Sequence, residues 1–239
     1  MTDTTHTLVI GGSSGMGLAL AQRLLPAGHR ITIAARDTER LTAATAELGY
    51  PDQVRSQRVD IADEASIAAL FGTLGTVDHV VVTAADMRHG YGPLTELPAH
   101  DARTVLDIKV LGPWLVAKYA AGRVTNSITV TSGIAAYRPA PGGSVVATAN
   151  AALEGMVRAL ALELAPIRVN AVSPGWVDTP IWDDFAGPDK HARLTAMAAR
   201  LPAGRIGRPA DIAAAFHAVL DNDFLTGEVL HVEGGHRLV

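Results

Sequence analysis

The run Leu8-Val9-Ile10-Gly11-Gly12-Ser13-Ser14-Gly15-Met16-Gly17 constrains the fold of this chain more than any other stretch. A short apolar segment breaks into glycines and then resumes as a helical pattern through Leu25. Glycine lets the backbone come close to a charged ligand, and the unpaired N–H groups and positive dipole end of the following helix attract anions. A strand ending in such a turn is built to hold phosphate. The spacing, Gly-x-x-x-Gly-x-Gly, differs from the Gly-x-Gly-x-x-Gly of many dinucleotide folds but serves the same mechanics.

The rest of the chain is organised to match. Short β-branched runs near 7–10, 30–35, 53–59, 78–83, 123–131, 167–172 and 228–232 alternate with helical patterns over 15–27, 37–48, 63–71, 99–121, 144–164 and 209–220. The alternation predicts one α/β domain over 1–239, with a parallel sheet and crossover helices. Asp37 and Asp63 are placed as N-caps. Residues 181–203 interrupt the pattern where α/β enzymes carry substrate loops and lids.

Composition removes several function classes. The absence of cysteine excludes disulfides, a thiol nucleophile and thiolate zinc sites, and the nine histidines form no local cluster of ligand spacing, so no metal is expected. A net charge of −4 without runs of like charge argues against a nucleic acid partner. The first seven residues lack the basic start and apolar core of a secretory signal, and no apolar run approaches membrane-spanning length. These features point to a cytoplasmic protein with no membrane partner.

Three separated motifs then converge. The glycine turn, the segment Val169-Asn170-Ala171-Val172-Ser173-Pro174-Gly175-Trp176-Val177-Asp178-Thr179 and the ending Thr226-Gly227-Glu228-Val229-Leu230-His231-Val232-Glu233-Gly234-Gly235 together resemble the short-chain dehydrogenase/reductase family over essentially the whole chain. The resemblance implies a seven-stranded Rossmann sheet, NAD(P)(H), a small-molecule substrate and a homodimer or homotetramer built on helices 99–121 and 144–164. It also implies that Gly11, Ser13, Ser14, Gly15, Met16 and Gly17 surround the pyrophosphate and adenosine ribose, and that Ala84 lines the cofactor. Asp60, next to Ile61, matches a carboxylate that accepts from the adenine amine, although it equally suits a cap of the next segment. Pro174, Val177 and Thr179 match the segment that holds the nicotinamide carboxamide. Ala35 stands where an acidic residue would bind both ribose hydroxyls of NAD, and Arg36 follows. A guanidinium pairs bidentately with a 2′-phosphate, so this end favours NADP(H) over NAD(H).

Against this framework the chain departs from the family in its chemistry. Val146 and Asn150 stand where the family has the Tyr and Lys of Tyr-x-x-x-Lys, in a segment anchored by Ala151-Ala152-Leu153-Glu154-Gly155. Positions four apart share a helix face, so both changes fall on one site. Ser132 matches the serine that hydrogen-bonds the substrate oxygen, or else simply ends a strand. Lys109 replaces the active-site Asn. The family's Asn has thus become Lys and its Lys has become Asn, a reciprocal exchange in which the Lys109 ammonium enters the space beside Asn150; the alternative is a lysine that snorkels to the surface. Ile10 removes a usual Thr from the glycine turn, and Thr83 stands in place of an Asn that steadies the sheet. Residues 86–91 and Tyr137 offer other acids, and Trp176 and Trp182 form a substrate wall or pack the core. The expected function is an atypical NADP(H)-dependent oxidoreductase acting on a carbonyl or alcohol through Lys109, Ser132 and Asn150. The alternatives are a binding protein without turnover and a non-redox enzyme performing dehydration or cyclisation.

Overall fold

The computed structural model describes residues 4–239, with the backbone alone for residues 184 and 185. Seven strands, β1 (His6–Ile10), β2 (Arg30–Ala35), β3 (Val54–Arg58), β4 (Val77–Val82), β5 (Val124–Thr131), β6 (Arg168–Pro174) and β7 (Val229–Val232), form one sheet in the order β3-β2-β1-β4-β5-β6-β7. Every pairing is parallel. Helices α1 (Gly15–Leu24), α2 (Thr38–Leu48), α3 (Glu64–Leu74), α4 (Ala99–Leu106), α5 (Gly112–Ala120), α6 (Ser144–Glu163) and α9 (Pro209–Asp221) flank it. Two further helices, α7 (Ile181–Ala186) and α8 (Lys190–Ala198), occupy the interruption after β6. Asp37 and Asp63 cap α2 and α3 by accepting backbone N–H bonds at 3.0 Å.

The central strands are apolar on both faces because both faces are covered. Leu8, Ile10, Val80 and Val82 point into a core shared with α3, α5 and α6. Val9, Ile31, Ile33 and Val81 point into the opposite core, under α1, α2 and α9. The chain reverses direction of winding between β1 and β4, which opens a crevice at the carboxyl ends of these strands. One expectation from composition is corrected here. The helix α6 is long and apolar enough to cross a membrane, with a mean hydropathy of 1.3 over its window. It is instead a core helix, burying Val146, Ala149, Leu153, Val157 and Leu160.

A second correction concerns the pattern over 99–121. Helices α4 and α5 are separated by a π-helical turn, Asp107–Leu111, in which the Gly112 N–H reaches the Asp107 carbonyl five residues back. Pro113 has no N–H to offer the Lys109 carbonyl four residues earlier, so the α ladder cannot run through this point. Lys109 lies within this turn, and its side chain is buried.

The opposite end of the sheet carries an unusual polar layer. His6 Nε2 lies 2.9 Å from Thr32 Oγ1, His29 Nδ1 lies 3.0 Å from Thr7 Oγ1, and His79 Nδ1 lies 2.8 Å from Ser127 Oγ. All three rings are buried. His29 also sits between His79 and the edge-on ring of His217, with centroids 6.3 and 6.2 Å away. Burial lowers the pKa of each of the three, that of His79 to about 4.

Candidate active site

The crevice at the ends of β1, β2 and β4 is a cleft of roughly 500 Å³. Of the residues expected to hold a dinucleotide, Gly11, Ser13, Ser14, Gly15, Met16, Arg36, Ile61, Ala84 and Thr179 line it. The glycine turn is packed so tightly that side chains are excluded. A Cβ at Gly11 would lie 2.5 Å from the Ala84 nitrogen, and one at Gly17 would lie 2.4 Å from the Gly11 carbonyl oxygen. The turn is therefore a cradle that only glycine can form, and it opens toward the N-terminus of α1, as a pyrophosphate requires. The Thr missing at position 10 is compensated from the turn after β4: the Thr83 hydroxyl lies 3.3 Å from the Ile10 carbonyl and 3.2 Å from that of Gly11. Thr179 packs against Gly15, bringing the segment after β6 to the other end of the cleft.

Gly17 sits beneath the cleft and acts by letting α1 approach the turn. Gly17→Ala is expected to cost about 1–3 kcal/mol through overpacking and to weaken NADPH binding as α1 is displaced. A urea midpoint and a fluorescence titration check both effects. Asp60 lies outside the cleft lining, and its carboxylate accepts from the Ala62 N–H at 3.0 Å in the turn before α3, whose cap is Asp63. Pro174 and Val177 also lie behind the lining. The Val177 carbonyl accepts from the Trp182 indole at 2.9 Å, and Trp182 packs on Trp176 with centroids 4.6 Å apart.

At the end of β5 the structure brings Lys109, Ser132 and Asn150 together, all buried. Lys109 does not snorkel: it is 3% exposed, and its Nζ donates to the Thr131 carbonyl at 2.6 Å and the Ser132 carbonyl at 3.4 Å. Desolvation brings its pKa down to about 8. The Ser132 hydroxyl is directed at α6, 3.1 Å from both the Asn150 carbonyl and Glu154 Oε1. The neighbour facing the Asn150 side chain is Gly133, where a Cβ would lie 2.8 Å from Nδ2. The Asn150 Oδ1 atom is buried with no hydrogen-bond partner among the described residues. Val146 is 1% exposed and pressed against the loop after β4, where a Cβ at Gly90 would lie 2.7 Å from its Cγ2.

Glu154 escaped the sequence reading. It is a buried carboxylate one helical turn beyond Asn150, and besides Ser132 it accepts from the Tyr137 hydroxyl at 2.5 Å. Its isolation within an apolar helix was the available signal. Partial burial and then this partner push the Tyr137 phenol up to about 12, and they turn it away from an acid's role at neutral pH. At the adenosine end, Arg36 contacts Asp86, which Arg88 also grips.

Comparison with known proteins agrees with this architecture. A family model described as enoyl-(acyl carrier protein) reductase matches residues 11–237. The short-chain dehydrogenase/reductase malC of Malbranchea aurantiaca is 34% identical over 250 residues, covering 98% of this chain and 94% of that protein. The human 3-oxoacyl-(acyl-carrier-protein) reductase is 32% identical over 241 residues, covering 97% of each. Among solved structures, the MalC reductase/Diels-Alderase superposes with a TM-score of 0.91 at 34% identity, covering 99% of this chain and 97% of that one. A small-chain dehydrogenase in complex with NADPH superposes with a TM-score of 0.86, also at 34% identity, covering 99% of this chain and 100% of that one.

Proposed function

The chain belongs to the short-chain dehydrogenase/reductase family, and from this we propose that it is an NADP(H)-dependent oxidoreductase whose proton donor is Lys109 rather than a tyrosine. The observation that carries the reading is the Lys109 ammonium, buried at the end of β5 with its pKa brought down to about 8. That value is close to the operating range of a general acid. Two of its three protons are engaged by the carbonyls of Thr131 and Ser132; Lys109 lies behind the cleft lining, and the third proton would reach a substrate oxygen once the substrate opens a path to it.

Gly11, Gly15, Ser13 and Ser14 hold the cofactor's phosphates, Arg36 its 2′-phosphate, and Thr179 its carboxamide, each placed along one cleft. NADPH, when bound, supplies the hydride that converts a ketone carbon to an alcohol. As the hydride arrives, negative charge develops on the carbonyl oxygen; Lys109 stabilises it, gives it a proton, and recovers a proton from solvent as a neutral amine. Asn150 would accept a hydrogen bond from a donor group of the substrate through its carboxamide oxygen, which has no partner among the described residues. Ser132 positions the β5 end through Glu154, and α7 and α8 close over the substrate as a lid. The molecule assembles as a homodimer or homotetramer, in keeping with the exposed Leu111, Trp114 and Leu162 on the turn before α5, on α5 and on α6.

One observation favours a second reading. Val146 and the adjoining Gly90 fill the space with hydrocarbon and backbone, and the similar MalC structure is described as both a reductase and a Diels-Alderase. A non-redox cyclisation would need shape and a hydrogen-bond donor more than an acid. NADPH oxidation at 340 nm against a panel of ketones and β-ketoacyl thioesters separates the readings. Hydride transfer yields alcohol in proportion to NADPH consumed; product formed without net NADPH use supports the second reading, and nucleotide binding without any product supports a non-catalytic relative.

A further inference from the structure

The cofactor reading places Arg36 on the 2′-phosphate, yet Arg36 already touches a carboxylate. Its Nη2 lies 3.2 Å from Asp86 Oδ2, across the mouth of the cleft between the end of β2 and the loop after β4. Arg88 holds the same carboxylate more closely, through Nε on Oδ1 at 2.9 Å and Nη2 on Oδ2 at 2.6 Å. The Asp86 side chain is 12% exposed, whereas those of Arg36 and Arg88 are about half exposed. Arg36, Asp86 and Arg88 all line the cleft. The two guanidiniums hold the Asp86 carboxyl well below the usual carboxylate range, so it stays ionised throughout the working pH range.

We propose that Asp86 is an internal competitor of the cofactor's 2′-phosphate for Arg36, and so a residue that sets how strongly the chain prefers NADP(H) to NAD(H). The proposal rests on Arg36 being the 2′-phosphate ligand. The geometry determines which contact yields. Arg88 binds Asp86 through two nitrogens, while Arg36 binds it end-on through one, so an arriving phosphate takes Arg36 and leaves Asp86 with Arg88. The fixed negative charge then remains within reach of the phosphate and weakens its binding. An adenosine ribose carrying a free 2′-hydroxyl meets no such opposition. The chain consequently discriminates between the two nucleotides less sharply than Arg36 alone would make it do.

Isothermal titration calorimetry with adenosine 2′,5′-diphosphate and adenosine 5′-diphosphate tests this without any substrate. Asp86→Asn, which keeps an oxygen acceptor for Arg88, is expected to tighten 2′,5′-diphosphate binding about three- to tenfold and to leave 5′-diphosphate binding within about twofold, since the latter lacks the charged group at issue. Asp86→Ser is expected to do the same. In the Arg36→Ala background the gain should shrink to the part that comes from removing the fixed charge, because no guanidinium is left to compete for. Unchanged or weaker 2′,5′-diphosphate binding by both Asp86 variants would overturn the proposal and make Asp86 a support for Arg36. Arg36→Ala binding both nucleotides as the unsubstituted protein does would instead overturn the assignment of Arg36 itself, a separate failure.

Discussion

Lys109→Met is expected to lower ketone reduction by about 10²–10⁴-fold, the usual contribution of a positioned proton donor, while NADPH binding stays within a few-fold. The same variant should be more stable than the unsubstituted protein, because it removes a desolvated buried charge. A lysine whose pKa falls from 10.5 in the unfolded chain to about 8 in the folded one destabilises the folded state wherever it must be charged. Below pH 8 the cost is on the order of 3 kcal/mol, and it disappears as pH rises from about 8 to about 10.5 because the unfolded state then binds the extra proton. Methionine fills the volume without the charge. The check is a pair of measurements: steady-state reduction with NADPH saturating, and urea midpoints at pH 7.5 for both proteins. Loss of rate accompanied by loss of stability would indicate a packing role instead.

The histidine layer gives the second large effect. His79 faces Ser127 on β5, His29 before β2, Arg168 on β6, Asp78 beside it and Asp221 at the end of α9. Burial dominates and brings its pKa to about 4. His29, facing Thr7, His217, Asp221 and Asp78, and His6, facing Thr32, Arg30, Arg55 and Asp78, are lowered by burial as well. For each, the folded state binds fewer protons than the unfolded state once pH drops below about 6.5. Stability present at pH 7 is therefore lost as pH falls, with His79 alone contributing on the order of 3 kcal/mol by pH 4. The carboxylates with depressed pKa values, among them Asp86 and Asp211, act mainly below pH 4, so the interval from 6.5 to 4.5 isolates the histidines. Urea midpoints of the unsubstituted protein should fall steeply over that interval, and His79→Gln should flatten the fall. An equal slope in both proteins would mean that His79 is charged at little cost.

The fold was legible because its signals are local. β-Branched runs, glycine turns and the Asp caps each act within a few residues, and the seven strands and the helices between them lie where those signals put them. The cleft beside the glycine turn was legible for the same reason, since most of its walls come from one turn and the strand ends beside it. What escaped depends on contacts distant in sequence. Pro113 announces a break in the helical ladder, but the resulting π turn and the burial of Lys109 follow only when α4 packs against α6 and α5 against β5. Ser132 matched by sequence, yet its hydroxyl turns to Glu154, and the adjacent Gly133 faces Asn150; a one-residue difference at a strand end reverses the face presented. The contact between Arg36 and Asp86 joins residues fifty positions apart. No pattern in either segment encodes it.

If Lys109 donates the proton, its titration must appear in the pH dependence of kcat/KM for ketone reduction. With an ammonium donor of pKa about 8, the rate should be constant near neutrality and fall about tenfold per pH unit above pH 8, as the donor loses its proton. Lys109→Met should show a low and level profile. A rate in the unsubstituted protein that stays constant through pH 9.5, or a fall near pH 8 that persists in Lys109→Met, would contradict the account and assign the proton to another group.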